Sequence, residues 1–186
     1  RPFLHNDPEH LKHILGKLKG FRQIFVVTES VFSTEGSIAP FKKFVEICEE
    51  FQAVPVIDDS HGIGVIGKTG RGIIEHFAIE NYFGLYTASF GKAIANSGGI
   101  IAGKKSIIDH LRYYCPHLIY STALTPGVLA GVEKVLDIVV DEFCNLSKRM
   151  WEYKESIQHA LCSSGFSIIP GQAPINSIVA GSPVQT

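Results

Sequence analysis

Apolar and polar positions change their period several times along this chain of 186 residues. Residues 9–19 (EHLKHILGKLK) set Leu11, Ile14, Leu15 and Leu18 at helical spacing, the apolar face of an amphipathic helix. Residues 23–28 (QIFVVT) form a short β-rich run, the pattern of a strand buried on both faces. A second helix is predicted from Pro40, which suits a first turn, with Phe41, Phe44, Val45, Cys48 and Phe51 as its apolar stripe. Residues 53–57 (AVPVI) predict a second strand ending at Asp58 and Asp59; Pro55 inside it removes a ladder donor. Residues 84–88 (GLYTA) and 98–102 (GGIIA) predict two more strands, and 105–114 and 125–143 two more helices, Pro126 opening the second. Within 140–150 the pattern runs into a more charged stretch (DEFCNLSKRMWEYKE). A weak boundary is expected there, dividing 1–143 from a second unit, 144–186, with a helix at 151–162 and strands at 166–169 and 175–180.

Strands alternating with helices predict an α/β fold around a mostly parallel sheet. Such sheets bind ligands at the carboxyl ends of their strands. The polar clusters fall at those ends: Ser33 after the first strand, Asp58 to His61 after the second, and Ser89 to Lys92 after the third.

Composition narrows the function classes. Apolar residues make up 45% and charged residues 19%, a globular balance. Seventeen basic and 18 acidic residues give a net charge of −1, so neither nucleic acid nor an anionic membrane is expected as the main partner. No apolar run approaches the ~18 residues of a membrane span. The first residues include Arg1, His5, Asp7 and Glu9, which is no signal peptide. A start at Arg1 and a stop in a strand-like stretch are the expected marks of a piece of a longer chain. Cys48, Cys115, Cys144 and Cys162 form no C-x-x-C pair and no zinc spacing. Cys48 and Cys144 are expected as small core residues of helices. Free thiols fit a reducing compartment, so a cytoplasmic location is expected.

One motif invites a wrong reading. Residues Gly62–Thr69 (GIGVIGKT) satisfy both the phosphate-loop pattern and the dinucleotide G-x-G-x-x-G pattern. Both need a strand directly before and a helix directly after. Here Asp58, Asp59, Ser60 and His61 intervene, and Gly70, Arg71 and Gly72 follow, poor material for a first helical turn. A structural glycine-rich turn is the favoured reading, with nucleotide binding through Gly62–Thr69 as the alternative.

The stronger constellation is Asp58, His61, Ser89 and Lys92 with Ser33. Asp58 is expected to project from a buried strand into a cleft, where a carboxylate is costly unless paired. A lysine at a strand's carboxyl end faces the ligand crevice, and desolvation or a nearby cation there frees its amine for a Schiff base. Pyridoxal phosphate uses such a lysine and an acidic partner for its pyridine nitrogen. A histidine can contact its ring or phenolic oxygen, and hydroxyls its phosphate or phenolic oxygen. Asp59 is expected to be a turn or capping residue, since one acid suffices for the ring nitrogen. His10 and His13 share a helical face without a carboxylate to complete a metal site.

Four stretches occur in order: TESVFSTEGSIAP (28–40), IDDSHGIGVIGKTGRG (57–72), SFGK (89–92) and HLIYSTALTP (117–126). Together they resemble the α-oxoamine synthases, pyridoxal-phosphate enzymes of fold type I, over nearly the whole chain. The resemblance implies a partial large domain of three α/β/α layers, followed by the start of a small α/β domain. It implies Lys92 as the Schiff-base lysine, Asp58 as the partner of the pyridine nitrogen, and His61 beside the phenolic oxygen. Ser33 and Ser89 become cofactor contacts, and Ser121 and Thr122 reach the phosphate of the other subunit of a homodimer with shared sites. It further implies joining of an amino acid to an acyl-CoA or acyl-carrier-protein thioester with loss of a carboxylate. The opening HND and the HLIYST string lean towards L-alanine with a pimeloyl thioester. Serine with a long acyl thioester, or glycine with acetyl-CoA, are the other options. A non-catalytic partner subunit is disfavoured by the joint presence of Lys92, Asp58 and His61.

Overall fold

The computed structural model describes residues 1–182. Helix α1 (Pro8–Lys17) starts where Asp7 accepts a 2.9 Å hydrogen bond from the His10 amide and Pro8 fills the first turn. It buries Leu11 and Leu15. Then follow β1 (Phe25–Glu29), α2 (Phe41–Glu50), β2 (Val54–Asp58), the one-turn α3 (Ile73–His76), β3 (Leu85–Ser89) and β4 (Gly99–Ala102). The chain continues through α4 (Lys105–Tyr114), α5 (Pro116–Ile119), α6 (Pro126–Ser163) and a two-stranded ribbon, β5 (Ile168–Ile169) and β6 (Ser177–Ile178).

The main sheet has the order β1-β2-β3-β4. β1, β2 and β3 are parallel, and β4 runs antiparallel to β3. The three parallel strands therefore end together, at Glu29, Asp58 and Ser89. Val26, Pro55, Ile57 and Ala88 point to the covered face, where Phe41, Phe44 and Cys48 of α2 join the core. Phe25 and Val27 point the other way and are 56% and 64% exposed. This corrects the expectation of a β1 buried on both faces. A doubly apolar strand shows that both faces favour burial, not that both are covered.

Pro55 fits because of where pairing begins. Val54 donates to the Ile24 carbonyl at 2.8 Å, so the next amide would face β3, and β3 pairs with β2 only from Val56 onward. The Tyr82 hydroxyl instead lies 2.9 Å from both the Pro55 and Leu85 carbonyls.

The two helices expected at 125–143 and 151–162 are one. α6 runs unbroken for 38 residues. The stretch between them holds no glycine or proline, and its charges only mark a solvated face. Cys48 is buried as expected, but Cys144 is exposed. The strands expected at 166–169 and 175–180 appear as the shorter β5 and β6, and residues 183–186 of the expected second unit lie outside the described residues. The segment before β6 returns to the turn after β1: Ala173 donates to the Gly36 carbonyl, and Ile38 to the Gln172 side chain.

Candidate active site

Each parallel strand delivers a polar group at its carboxyl end. Asp58 closes β2 and is exposed rather than buried. Its Oδ1 accepts the Ser60 amide at 3.0 Å and the Ser60 hydroxyl at 2.5 Å. The Ser60 oxygen in turn accepts the Ser89 amide at 2.8 Å. Ser60 thus ties the end of β2 to the end of β3. The Ser89 hydroxyl accepts the Gly91 amide at 3.1 Å and shapes the turn into Lys92.

Asp59 is the buried acid. It is fully covered, and its Oδ2 accepts the Ile73 amide and the Tyr86 hydroxyl, both at 3.0 Å. It therefore caps α3, as expected of a capping residue. Burial raises its pKa, partly offset by Ser30, Ile73 and Tyr86. Gly62 and Gly72 make room for it, because a Cβ at either position would fall within 2 Å of a carboxylate oxygen.

Lys92 lies on the exposed side of a closed loop. Phe90 donates to Gly98, Asn96 to Phe90 and Ala95 to Lys92 through their backbones. Phe90 and Ile94 are buried against Val132 of α6, with Ile63 and Val135 packed around them. The loop's core is anchored while the lysine stays accessible. His61 is partly buried, and its pKa is lowered by that burial and by the Lys92 charge, against the opposing charges of Glu29 and Asp58. The structure thus brings Asp58, His61 and Lys92 into one electrostatic neighbourhood.

Ser33 sits exposed in the turn bridged by Val31 and Ile38. Phe32 beside it shares with Glu29 and Asp58 the lining of a cavity of about 550 Å³. Ser121 and Thr122 are exposed on the connection from α5 to α6, and the Ser121 hydroxyl donates to the Leu118 carbonyl at 3.1 Å. Among the described residues neither of these two makes a hydrogen bond or ion pair with Asp58, His61 or Lys92.

The glycine-rich stretch is a closed structural loop. The Glu75 carboxylate accepts the Thr69 amide and hydroxyl and the Arg71 amide, at 2.7–3.1 Å. Burial alone would raise the Glu75 pKa, but these bonds prevail and lower it. Within the motif the Thr69 amide is taken by this carboxylate and the Gly64, Val65 and Ile66 amides by backbone carbonyls, and α3 after them is four residues long. This removes the nucleotide reading of Gly62–Thr69.

The profile of the family described as aminotransferase class I and II matches residues 2–186. The chain belongs to that family. Within the aminotransferase class I and II family, its sequence is 32% identical over 179 residues to 8-amino-7-oxononanoate synthase 1 of Bacillus subtilis, covering 96% of this chain and 45% of that one. It is also 32% identical to serine palmitoyltransferase of Sphingobacterium spiritivorum, over 92% of this chain and 43% of that one. The fold matches a serine palmitoyltransferase of S. paucimobilis solved with bound PLP and myriocin, with a TM-score of 0.88 at 24% identity, over 98% of this chain and 47% of that one. It also matches 8-amino-7-oxononanoate synthase of Francisella tularensis, with a TM-score of 0.74 at 26% identity, over 94% and 51%. The chain spans under half the length of the curated relatives it matches. Among the described residues no helix is long and apolar enough to cross a membrane.

Sequence reasoning missed Ser60 and Glu29. Ser60 stands inside the DDSH string as one of four polar residues after β2, with no spacing signal of its own. Glu29 directly follows the predicted strand 23–28, and only the structure shows it paired with Asp58 at the strand ends.

Proposed function

We propose that the protein is a pyridoxal-phosphate-dependent acyltransferase that condenses an amino acid with an acyl thioester, with decarboxylation. The convergence of Asp58, His61 and Lys92 at the carboxyl ends of β2 and β3 carries this reading. The donor set fits the cofactor: an accessible amine, a carboxylate held by Ser60, an imidazole whose pKa lies below its ordinary value, and the hydroxyls of Ser33 and Ser89. When bound, pyridoxal phosphate supplies an electron sink for a carbanion on the amino acid.

Lys92 would hold the cofactor through Nζ, and its accessible amine is placed to move a proton at the amino-acid carbon. Asp58 would keep the pyridine nitrogen protonated, its own orientation set by Ser60. His61 would address the phenolic oxygen, and Ser33 and Ser89 would add hydrogen bonds to the cofactor. Ser121 and Thr122 would serve the phosphate of a partner subunit in a homodimer. Exposed Tyr113, Tyr114, Leu118, Ile119 and Tyr120 around them support such a contact. Residues 1–143 would be part of the large domain, and 144–186 the start of a smaller one.

L-alanine with a pimeloyl-CoA or pimeloyl-carrier-protein thioester is the favoured substrate pair, which would place the product, 8-amino-7-oxononanoate, in biotin synthesis. The equal identity to a serine palmitoyltransferase favours a second reading, serine with a long acyl thioester. The test is the absorption spectrum of the full-length protein with added pyridoxal phosphate, beside Lys92→Ala. A cofactor band that survives dialysis only in the wild type is expected. Spectral titration with L-alanine, glycine and L-serine then ranks the amino acids. No retained band in the full-length protein overturns the assignment.

A further inference from the structure

His5, Asn6 and Asp7 turn the chain into α1. Asp7 caps the helix, and Asn6 adopts a left-handed conformation, φ 52°, that asparagine tolerates better than most residues. The corner sets His5 and Asn6 against the turn that follows β1 (32–37). His5 Nε2 lies 3.1 Å from both Glu35 Oε1 and Ser37 Oγ. Ser37 donates its own proton to Glu35 Oε1 at 2.5 Å, and its oxygen accepts from Asn6 Nδ2 at 3.1 Å. His5 Nε2 therefore faces two acceptors and can donate to them from a neutral or a charged ring. The His5 ring also meets Phe32 edge to face, with centroids 4.4 Å apart and planes at 75°.

The turn is closed by its own ends: the Phe32 amide donates to the Ser37 carbonyl at 2.9 Å, and the Gly36 amide to the Phe32 carbonyl at 2.8 Å. His5 touches both ends, Phe32 through its ring and Ser37 through Nε2, and Ser33 lies between them. His5, Asn6 and Phe32 border the cavity of about 550 Å³ that Glu29 and Asp58 line from the strand ends. One wall of that cavity is the corner, and the other carries the acid. His5 is half exposed, and an exposed ion pair adds little stability. What the cluster fixes is position.

We propose that His5 is a positioning residue of this site: anchored on Glu35 and Ser37, it holds Phe32 and the turn that carries Ser33 beside the cavity that Asp58 lines. This inference rests on the reading of Asp58 and Ser33 as cofactor contacts.

The test uses the full-length protein with His5→Ala, His5→Gln, Ser33→Ala and the double variant His5→Ala with Ser33→Ala. Lys12→Ala, which breaks the exposed Lys12–Glu50 pair between α1 and α2, is the control. Amide exchange across 32–37, read by mass spectrometry without cofactor, should quicken in His5→Ala alone among the His5 and Lys12 variants. The dissociation constant for pyridoxal phosphate, read from its absorption band, should rise about five-fold in His5→Ala, the worth of one hydrogen bond. His5→Gln keeps a donor at the place of Nε2 and should restore most of both. Because the two residues act through one turn, His5→Ala should add little to Ser33→Ala. Unchanged exchange in His5→Ala overturns the proposal, as does an equal change in Lys12→Ala. Quicker exchange with an unmoved dissociation constant, or full additivity with Ser33→Ala, overturns it as well. A wild type that retains no cofactor band refutes the cofactor reading instead, and quicker exchange in its His5→Ala variant still supports the hold of His5 on the turn.

Discussion

Replacing Asp59 by alanine tests whether the buried acid, rather than the exposed Asp58, holds this end of the sheet together. The substitution strands the Ile73 amide and the Tyr86 hydroxyl, which both use Oδ2. Each unsatisfied buried group costs about 1–3 kcal/mol. Part of that is returned, because burying the carboxylate was itself unfavourable, as its raised pKa shows. The expected net loss is about 3 kcal/mol, or ~1.5 M in urea midpoint for an m-value of about 2 kcal/mol/M. Asp59→Asn keeps an acceptor for Ile73 and Tyr86 and can donate towards Ser30, so about 1 kcal/mol is expected. The pH dependence has a definite sign. The folded protein holds the Asp59 proton at pH values where the unfolded chain has lost it. Its stabilising share is therefore complete in acid and falls as pH rises from the ordinary carboxylate value to the raised one. Wild type should gain on Asp59→Asn as pH falls. Equilibrium urea unfolding of the full-length protein at several pH values is the assay. A loss under about 1 kcal/mol for alanine, or equal losses for alanine and asparagine, would refute the reasoning.

Other consequences are simpler to read. Glu75→Ala frees the Thr69 and Arg71 amides; amide exchange at 67–72 should quicken and stability drop by about 1 kcal/mol, a figure kept low by partial solvent exposure. Lys92→Ala removes the charge that, after burial, most depresses His61, so the imidazole should titrate higher by NMR, and an unmoved midpoint would separate the two residues. Because the folded His61 sheds its proton below its ordinary value, its share of stability grows as pH rises through the window up to that value. Cys144 and Cys162 are exposed, while burial pushes the Cys48 thiol up to about 12. Alkylation at pH 8 followed by peptide mass mapping should label the first two quickly and Cys48 only after unfolding.

The α/β alternation and the strand ends were legible because short apolar runs bounded by polar clusters have few other interpretations. That Asp58, His61 and Lys92 fall at or just after the carboxyl ends of β2 and β3 was legible because each follows a short apolar run. The division of labour between Asp58 and Asp59 was only half legible. A capping role for Asp59 could be expected, but adjacent residues on a strand face opposite ways, and which acid goes inward depends on which face α2 covers. Glu75 closing the glycine-rich loop was invisible for a related reason. A motif prescribes where amides could point, while a carboxylate six residues after Thr69 decides what they bind. Helix α6 was misjudged because a charged stretch looks like a linker until its lack of glycine and proline is weighed.

The unbroken run of α6 has a mechanical consequence. From Val132, packed under the Lys92 loop, to Ser163 it extends roughly 47 Å at 1.5 Å per residue. A stiff rod of that length is a lever whose short arm lies beneath the lysine. A tilt of about 5° pivoting at Val132 carries the far end through ~4 Å but moves Val135, one turn along and packed against the same Phe90 and Ile94 cluster, by only about 0.4 Å. Coarse movement at one end becomes fine adjustment at the other.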